Sequence, residues 1–268
     1  MTNSNLLVYF IQIFVFVKCF NGGNYQSTIN GSPLARTMRI VGGHNTSIAE
    51  HPYMVSIRYK EHFICGGTMI SQKCMLTAAH CSILESPGSW EIHAGTTYIE
   101  TKGLIRKVRK WMVPLEFNFF TVDMDVAIVE LDRPLYSRSV RPIEIDYSPL
   151  QESEEVVIAG WGLKSEYPLA KLSNELQAVK VSLTSYEECL KAYLPHNNIT
   201  QNMFCAIGSW GSDACQGDSG GPAIRRGKQV GIVSWGYRCG SPEYPGVYTK
   251  LSSANVMRFV TYVIYNNC

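Results

Sequence analysis

Between Asp213 and Pro222 the chain reads Asp-Ala-Cys-Gln-Gly-Asp-Ser-Gly-Gly-Pro, and no other stretch restricts the fold so tightly. Glycine accepts φ > 0 and leaves no side chain in the way of an approaching ligand. Ser219, with Gly217 two places before it and Gly220 and Gly221 after it, therefore stands on a turn that bulky residues could not make. In such a turn the backbone N–H groups of Gly217 and Ser219 can converge on one point and stabilise a developing oxyanion. A bare G-x-S-x-G also occurs in tight loops without chemistry, so the motif must be weighed with the rest of the chain.

Two further motifs precede it. Thr77-Ala78-Ala79-His80-Cys81 places a histidine beside a cysteine. Taken alone, that pair is more often structural. Asp123-Met124-Asp125 stands directly before the apolar run Val126–Val129 and offers two acids. The spelling GDSGGP, with Cys215 two residues upstream, resembles the nucleophile loop of the chymotrypsin/trypsin family of serine proteases, and TAAHC is similar to that family's general-base motif. The resemblance implies Ser219 as nucleophile, His80 as base, and Asp125 as the acid that holds the imidazole. Asp123 is then read as a solvated neighbour, and His44, His51, His62, His93 and His196 as surface residues. The order His, Asp, Ser is that of the chymotrypsin-like fold, and differs from the order in subtilisins and α/β-hydrolases.

The patterning agrees with an all-β chain. Segments 53–59, 63–70, 156–161, 177–183, 229–234 and 246–251 read as short strands. Two helices interrupt them. Thr184-Ser185-Tyr186-Glu187-Glu188 gives overlapping capping boxes for a short helix towards Tyr193. Ser253 caps a C-terminal helix with Val256, Phe259, Val260, Val263 and Ile264 on one face, a core stripe. From Ile40 onward the resemblance implies two packed six-stranded antiparallel β-barrels, about 40–145 and 146–268, with that helix at the end and the active site in the cleft between them.

The N-terminal part is organised differently. Leu6–Val17 is a twelve-residue apolar run broken only by Gln12. A membrane span needs about twenty residues, so the run suits a signal peptide over 1–20. An uncleaved anchor is the alternative. Nine cysteines fit an oxidising compartment, so a secreted, extracellular protein is expected rather than a membrane one. Residues 21–39 have linker composition and end at Arg39, before Ile40-Val41-Gly42-Gly43. This junction resembles the family's activation site. It implies a propeptide, cleavage by a tryptic protease or by the enzyme itself, and pairing of the freed Ile40 α-amine with Asp218.

The specificity pocket is read from the same resemblance. Asp213 lies at its base, Ala214 beside it, and Gly236 and Gly246 form its walls, with Ser234 and Trp235 along the substrate. Glycine walls leave room for a long side chain, and a buried carboxylate requires a cation. Cleavage after Arg or Lys follows, as do protein or peptide substrates and protein protease inhibitors as partners. The resemblance also implies the disulfides Cys65–Cys81, Cys189–Cys205 and Cys215–Cys239. With Cys19 lost in the signal peptide, Cys74 and Cys268 remain, either bridged or as a buried thiol and a terminal one. Asn45 and Asn198 are glycosylation candidates in the mature chain.

Composition excludes other classes. The 24 basic and 22 acidic residues nearly cancel, and Arg106–Lys110 reads as a solvated strand face, so no nucleic-acid partner is expected. Neither HExxH nor paired CxxC is present, so no zinc is expected. Glu100 is the sole acid between Gly95 and Trp111, too few oxygen ligands for calcium. No cofactor is implied. A secreted protease-like regulatory or binding protein without catalysis is the alternative to an active endopeptidase; loss of a triad member or a blocked pocket would favour it, and neither is seen.

Overall fold

The computed structural model describes residues 43–82, 86–164, 170–195, 197–208 and 213–268. The apolar run 6–17, the propeptide, Arg39, Ile40 and His196 lie outside them.

Six strands, β2 (Met54–Tyr59), β3 (His62–Met69), β4 (Cys74–Thr77), β5 (Trp90–Ala94), β6 (Leu104–Met112) and β7 (Ala127–Leu131), close into a barrel in the order β2-β3-β4-β7-β6-β5. A second set follows: β8 (Glu155–Gly160), β9 (Gln177–Leu183), β10 (Met203–Ile207), β11 (Pro222–Arg225), β12 (Lys228–Trp235) and β13 (Gly246–Lys250). These run β9-β10-β13-β12-β11-β8, and the β8–β9 pairing closes the second barrel. All the pairings are antiparallel, and closure removes the exposed edges that open sheets must protect. The two barrels expected from the sequence are the fold observed.

Local sequence sets the corners. Between β2 and β3 the turn is Lys60-Glu61, both at positive φ, and between β11 and β12 it is Arg226-Gly227, again both positive. Two-residue loops of this kind match the strand twist and fix register. The strands on either side of His80 and Asp125 are buried on both faces: all of Cys74–Thr77 and all of Ala127–Leu131 are buried. On β6, Lys107, Arg109 and Lys110 point to solvent, as the basic run suggested.

A short first strand, β1 (His44–Asn45), pairs with β9, so the described chain begins on the second barrel. Helix α1 (Tyr186–Tyr193) starts with a capping box between Ser185 and Glu188. Helix α2 (Ala254–Asn267) is capped by Ser253 and buries Val256, Val260 and Val263. Among the described residues no helix is long and apolar enough to cross a membrane.

Four disulfides are formed: Cys65–Cys81, Cys189–Cys205, Cys215–Cys239 and Cys74–Cys268. The last joins β4 of the first barrel to the end of α2 across 194 residues of sequence. Two histidines depart from the surface reading. His93 is buried at 4% exposure on the face of β5 it shares with Glu91, whose carboxylate lies 3.4 Å from its Nε2, and His51 is half-buried against the Tyr53 hydroxyl.

Candidate active site

The site is assembled at the ends of strands from both barrels. β4 ends at Thr77, whose hydroxyl donates to the Gly66 carbonyl at 2.9 Å. The chain then makes a single 3₁₀ turn, Ala79–Ser82, which the Cys65–Cys81 bridge fastens to β3. His80 sits on that turn. Its backbone N–H donates to Asp125 Oδ1 at 2.9 Å, and its Nδ1 lies 2.8 Å from Asp125 Oδ2. An ionised carboxylate only accepts, so Nδ1 carries the proton and Nε2 is left able to take one.

Asp125 is buried at 1% exposure at the entry to β7. The second barrel supplies further bonds: Ser234 Oγ donates to Asp125 Oδ2 at 2.5 Å, and Thr249 Oγ1 donates to the Asp125 carbonyl at 2.7 Å. Burial alone would raise Asp125, but the facing His80 charge and the hydrogen bonds from His80 and Ser234 hold it below its ordinary value. For His80, burial acts to lower the value, and the Asp125 charge and hydrogen bond outweigh it, so the imidazole is raised.

Ser219 stands on the loop from Cys215 to Gly221. Gly217 has φ of +94°, a conformation that side chains rarely adopt, and a Cβ there would lie 2.8 Å from Leu172. Gly66 N donates to the Ser219 carbonyl at 2.9 Å, and Gly220 N donates to the Val233 carbonyl at 2.8 Å, so the loop is held by both barrels. Among the described residues neither the Gly217 nor the Ser219 N–H donates to any backbone carbonyl. Asp218 is fully buried beneath the loop and accepts from Gly162 N at 2.8 Å and Cys215 N at 2.9 Å. Burial pushes its carboxyl up to about 6. A Cβ at Gly162, two residues past β8, would come within 2.3 Å of an Asp218 oxygen, so that position must be glycine.

Beside the loop lies Asp213, 3% exposed, the acid expected at the base of a specificity pocket. Its oxygens accept from Ala214 N at 2.8 Å and Gly240 N at 3.3 Å. Burial, reinforced by the Asp218 charge, pushes Asp213 up to about 7 despite these bonds. A Cβ on Gly236 would meet nothing nearer than Gly246 Cα at 3.9 Å, and a Cβ on Gly246 would come within 2.8 Å of Asp213 Oδ1. Gly236 thus has open space beside it, and Gly246 lies against the acid. Trp235, next to Gly236, stands edge-on to Tyr193 with ring centroids 4.7 Å apart. The Cys215–Cys239 bridge joins this stretch to the loop.

The structure therefore brings together His80, Asp125 and Ser234, and separately sets Asp213 against Ala214, Gly240 and Gly246, with Gly236 beside Gly246. Asn45 and Asn198 are both exposed; the Asn45 amide already bonds Glu175 at 2.5 Å and Gln177 at 3.0 Å. Cys65, Cys81 and His80 lie close enough for a metal, but both sulfurs are in a disulfide and offer no thiolate.

Asp123 differs from its sequence reading. It is not a solvated neighbour but a half-buried acceptor: Thr200 Oγ1 donates to its Oδ1 at 2.6 Å and Asn202 Nδ2 at 3.0 Å. Thr200, Asn202 and Thr249 were not anticipated. Thr200 and Asn202 lie more than seventy residues from Asp123, and no local pattern announces such a contact.

The fold and site together define a serine endopeptidase of chymotrypsin-like architecture. A family model described as Trypsin matches residues 40–257, and the chain belongs to that family. It is 38% identical over 224 residues to a trypsin of Phaedon cochleariae, covering 81% of this chain and 85% of the relative. It is also 38% identical over 220 residues to a vitellin-degrading protease of Bombyx mori, with 81% and 83% covered. Among solved structures, neuropsin, a serine protease of mouse brain, superposes with a TM-score of 0.74 at 29% identity, over 84% of this chain and 98% of that one.

Proposed function

We propose that the protein is a secreted zymogen whose activated form cleaves peptide bonds after Arg, and less readily after Lys. Ser219 Oγ attacks the scissile carbonyl as His80 Nε2 takes its proton, and the Gly217 and Ser219 N–H groups hold the oxyanion. Collapse expels the amine, which leaves with the proton from His80. Water then enters by the same route and frees the acid and the serine. Asp125 holds the His80 tautomer and stabilises the imidazolium. Substrate main chain pairs with Ser234 and Gly236 as an added strand.

The observation that carries this reading is the buried Asp213, which pairs with no Lys or Arg side chain among the described residues. A buried carboxylate without a cation is costly, and the glycine-walled gap above it admits a long basic side chain. Guanidinium can bridge a carboxylate with two bonds, whereas ammonium is a compact charge that wants extra oxygen ligands. Ala214 supplies no hydroxyl for it. Arg is therefore favoured over Lys by about 1–2 kcal/mol, roughly ten-fold in kcat/KM. Matched Arg and Lys peptides test this, and Asp213→Ser should abolish the preference for both. Equal kcat/KM for the two would remove the Arg refinement; unchanged tryptic cleavage by Asp213→Ser would remove the pocket assignment.

Zymogen control belongs to the same reading. Cleavage after Arg39 frees the Ile40 α-amine, and Asp218, buried without a cationic side chain among the described residues, is its partner. A tryptic protease performs that cut, the enzyme itself included, since Arg39 suits its own pocket.

A further inference from the structure

Asp123 lies two residues before Asp125, and both of its neighbours have strained backbones: Val122 and Met124 have φ of 56° and 55°. A β-branched residue at positive φ is a true outlier, and such residues persist only where their surroundings enforce them. The enforcing contacts come from the second barrel. Thr200 and Asn202, on the approach to β10, donate to Asp123 Oδ1 at 2.6 and 3.0 Å. Asn202 is buried and in turn accepts from Ser253 Oγ at 3.0 Å and Asn255 Nδ2 at 3.4 Å, at the start of α2.

On the first-barrel side, the Asp123 carbonyl accepts from Asn118 N at 3.1 Å. Val126 N then donates to the Met124 carbonyl at 2.8 Å, closing a three-residue turn around Asp125. The strained segment and the acid thus form one short unit, bound at Asp123 to one part of the second barrel and at Asp125 to another. Asp123 itself bonds neither His80 nor Ser219.

We propose that Asp123 is a positioning residue: its carboxylate locks the strained Val122–Met124 backbone to the second barrel, and that lock aims Asp125 at His80. This rests on reading Asp125 as the triad acid. Asp125 takes bonds from His80 in one barrel and from Ser234 and Thr249 in the other, so a loop that relaxes must weaken one set or the other. Displacements of about 1 Å at such a group cost up to about 10²-fold in rate.

The test measures kcat and KM on an Arg peptide with the activated enzyme. Asp123→Ala should lower kcat by roughly ten- to a hundred-fold with KM little changed, the pattern of a lost transition-state arrangement. Asp123→Asn keeps an acceptor oxygen and should recover most of that loss. Thr200→Val removes one of the two donors and should fall between. Wild-type kcat in Asp123→Ala overturns the proposal. So does a loss confined to KM, which would make the loop a substrate wall, and so does an Asn variant as impaired as the Ala one. Should Asp123→Ala fail to fold, Thr200→Val decides: a kcat loss at unchanged KM supports the lock and wild-type kcat overturns it. Asp125→Asn separates the two readings. If it keeps wild-type kcat, the triad assignment fails; if it is crippled while Asp123→Ala is normal, only the lock fails.

Discussion

At the scale of single residues, His80 couples activity and stability in opposite directions. In the proposed mechanism its Nε2 must be neutral to accept the Ser219 proton, and Asp125 raises its value above the ordinary 6.5. A raised value means that the folded state favours the protonated imidazole. The His80–Asp125 pair therefore contributes stability that is fully present below 6.5 and is lost as pH rises through the raised value. Activity runs the other way, so kcat/KM should fall on the acid side with a midpoint above 6.5. A pH–rate profile checks this, and Asp125→Asn should move that midpoint down. A wild-type midpoint below 6.5 would contradict the pairing. The sequence alone proposes His80 and Ser219 because they stand in short, specific spellings, and Asp125 because it directly precedes an apolar run. Asp123 was not legible there, since its role is set by Thr200 and Asn202, which only the closed fold brings near.

At the scale of elements, the short, fully buried strands are the least patterned. β9 appears in the sequence with its observed ends, Gln177–Leu183, because its alternation is clean. β10, Met203–Ile207, escaped notice: four of its five residues are buried, and a short apolar run has no period to read. β1 is two residues long and exists only through its pairing with β9. β4 is of the same buried kind as β10, and its Cys74 is bonded to Cys268 at the end of α2. This bridge ties the element leading to His80, and paired with the strand after Asp125, to the C-terminal helix. Bridging 194 residues limits the unfolded chain, with an upper bound of about 5 kcal/mol and more usual values of about 2–4. Cys74→Ala with Cys268→Ser should lower Tm by roughly 5–15 °C while leaving kcat at 25 °C close to wild type. An unchanged Tm would show that helix packing through Val256, Val260 and Val263 already holds this end.

At the scale of the whole molecule, the two barrels share one site but contribute different parts. In the proposed site the first supplies His80 and Asp125, and the second supplies the Ser219 loop and the pocket. The zymogen proposal places control in the second barrel alone, and Arg39→Gln should leave peptidase activity near background after treatment with trypsin. Full activity in that variant would remove the proposal. Strand β1 adds a constraint of distance. His44 and Asn45 are fastened to β9, so a chain cut after Arg39 ends only four residues from an anchored point. Those four residues reach at most about 14 Å. Under that proposal the new terminus is a ligand on a short leash, at an effective concentration in the millimolar range. Its capture should be independent of protein concentration, so once the bond is cut, the onset of activity follows a rate that dilution does not change.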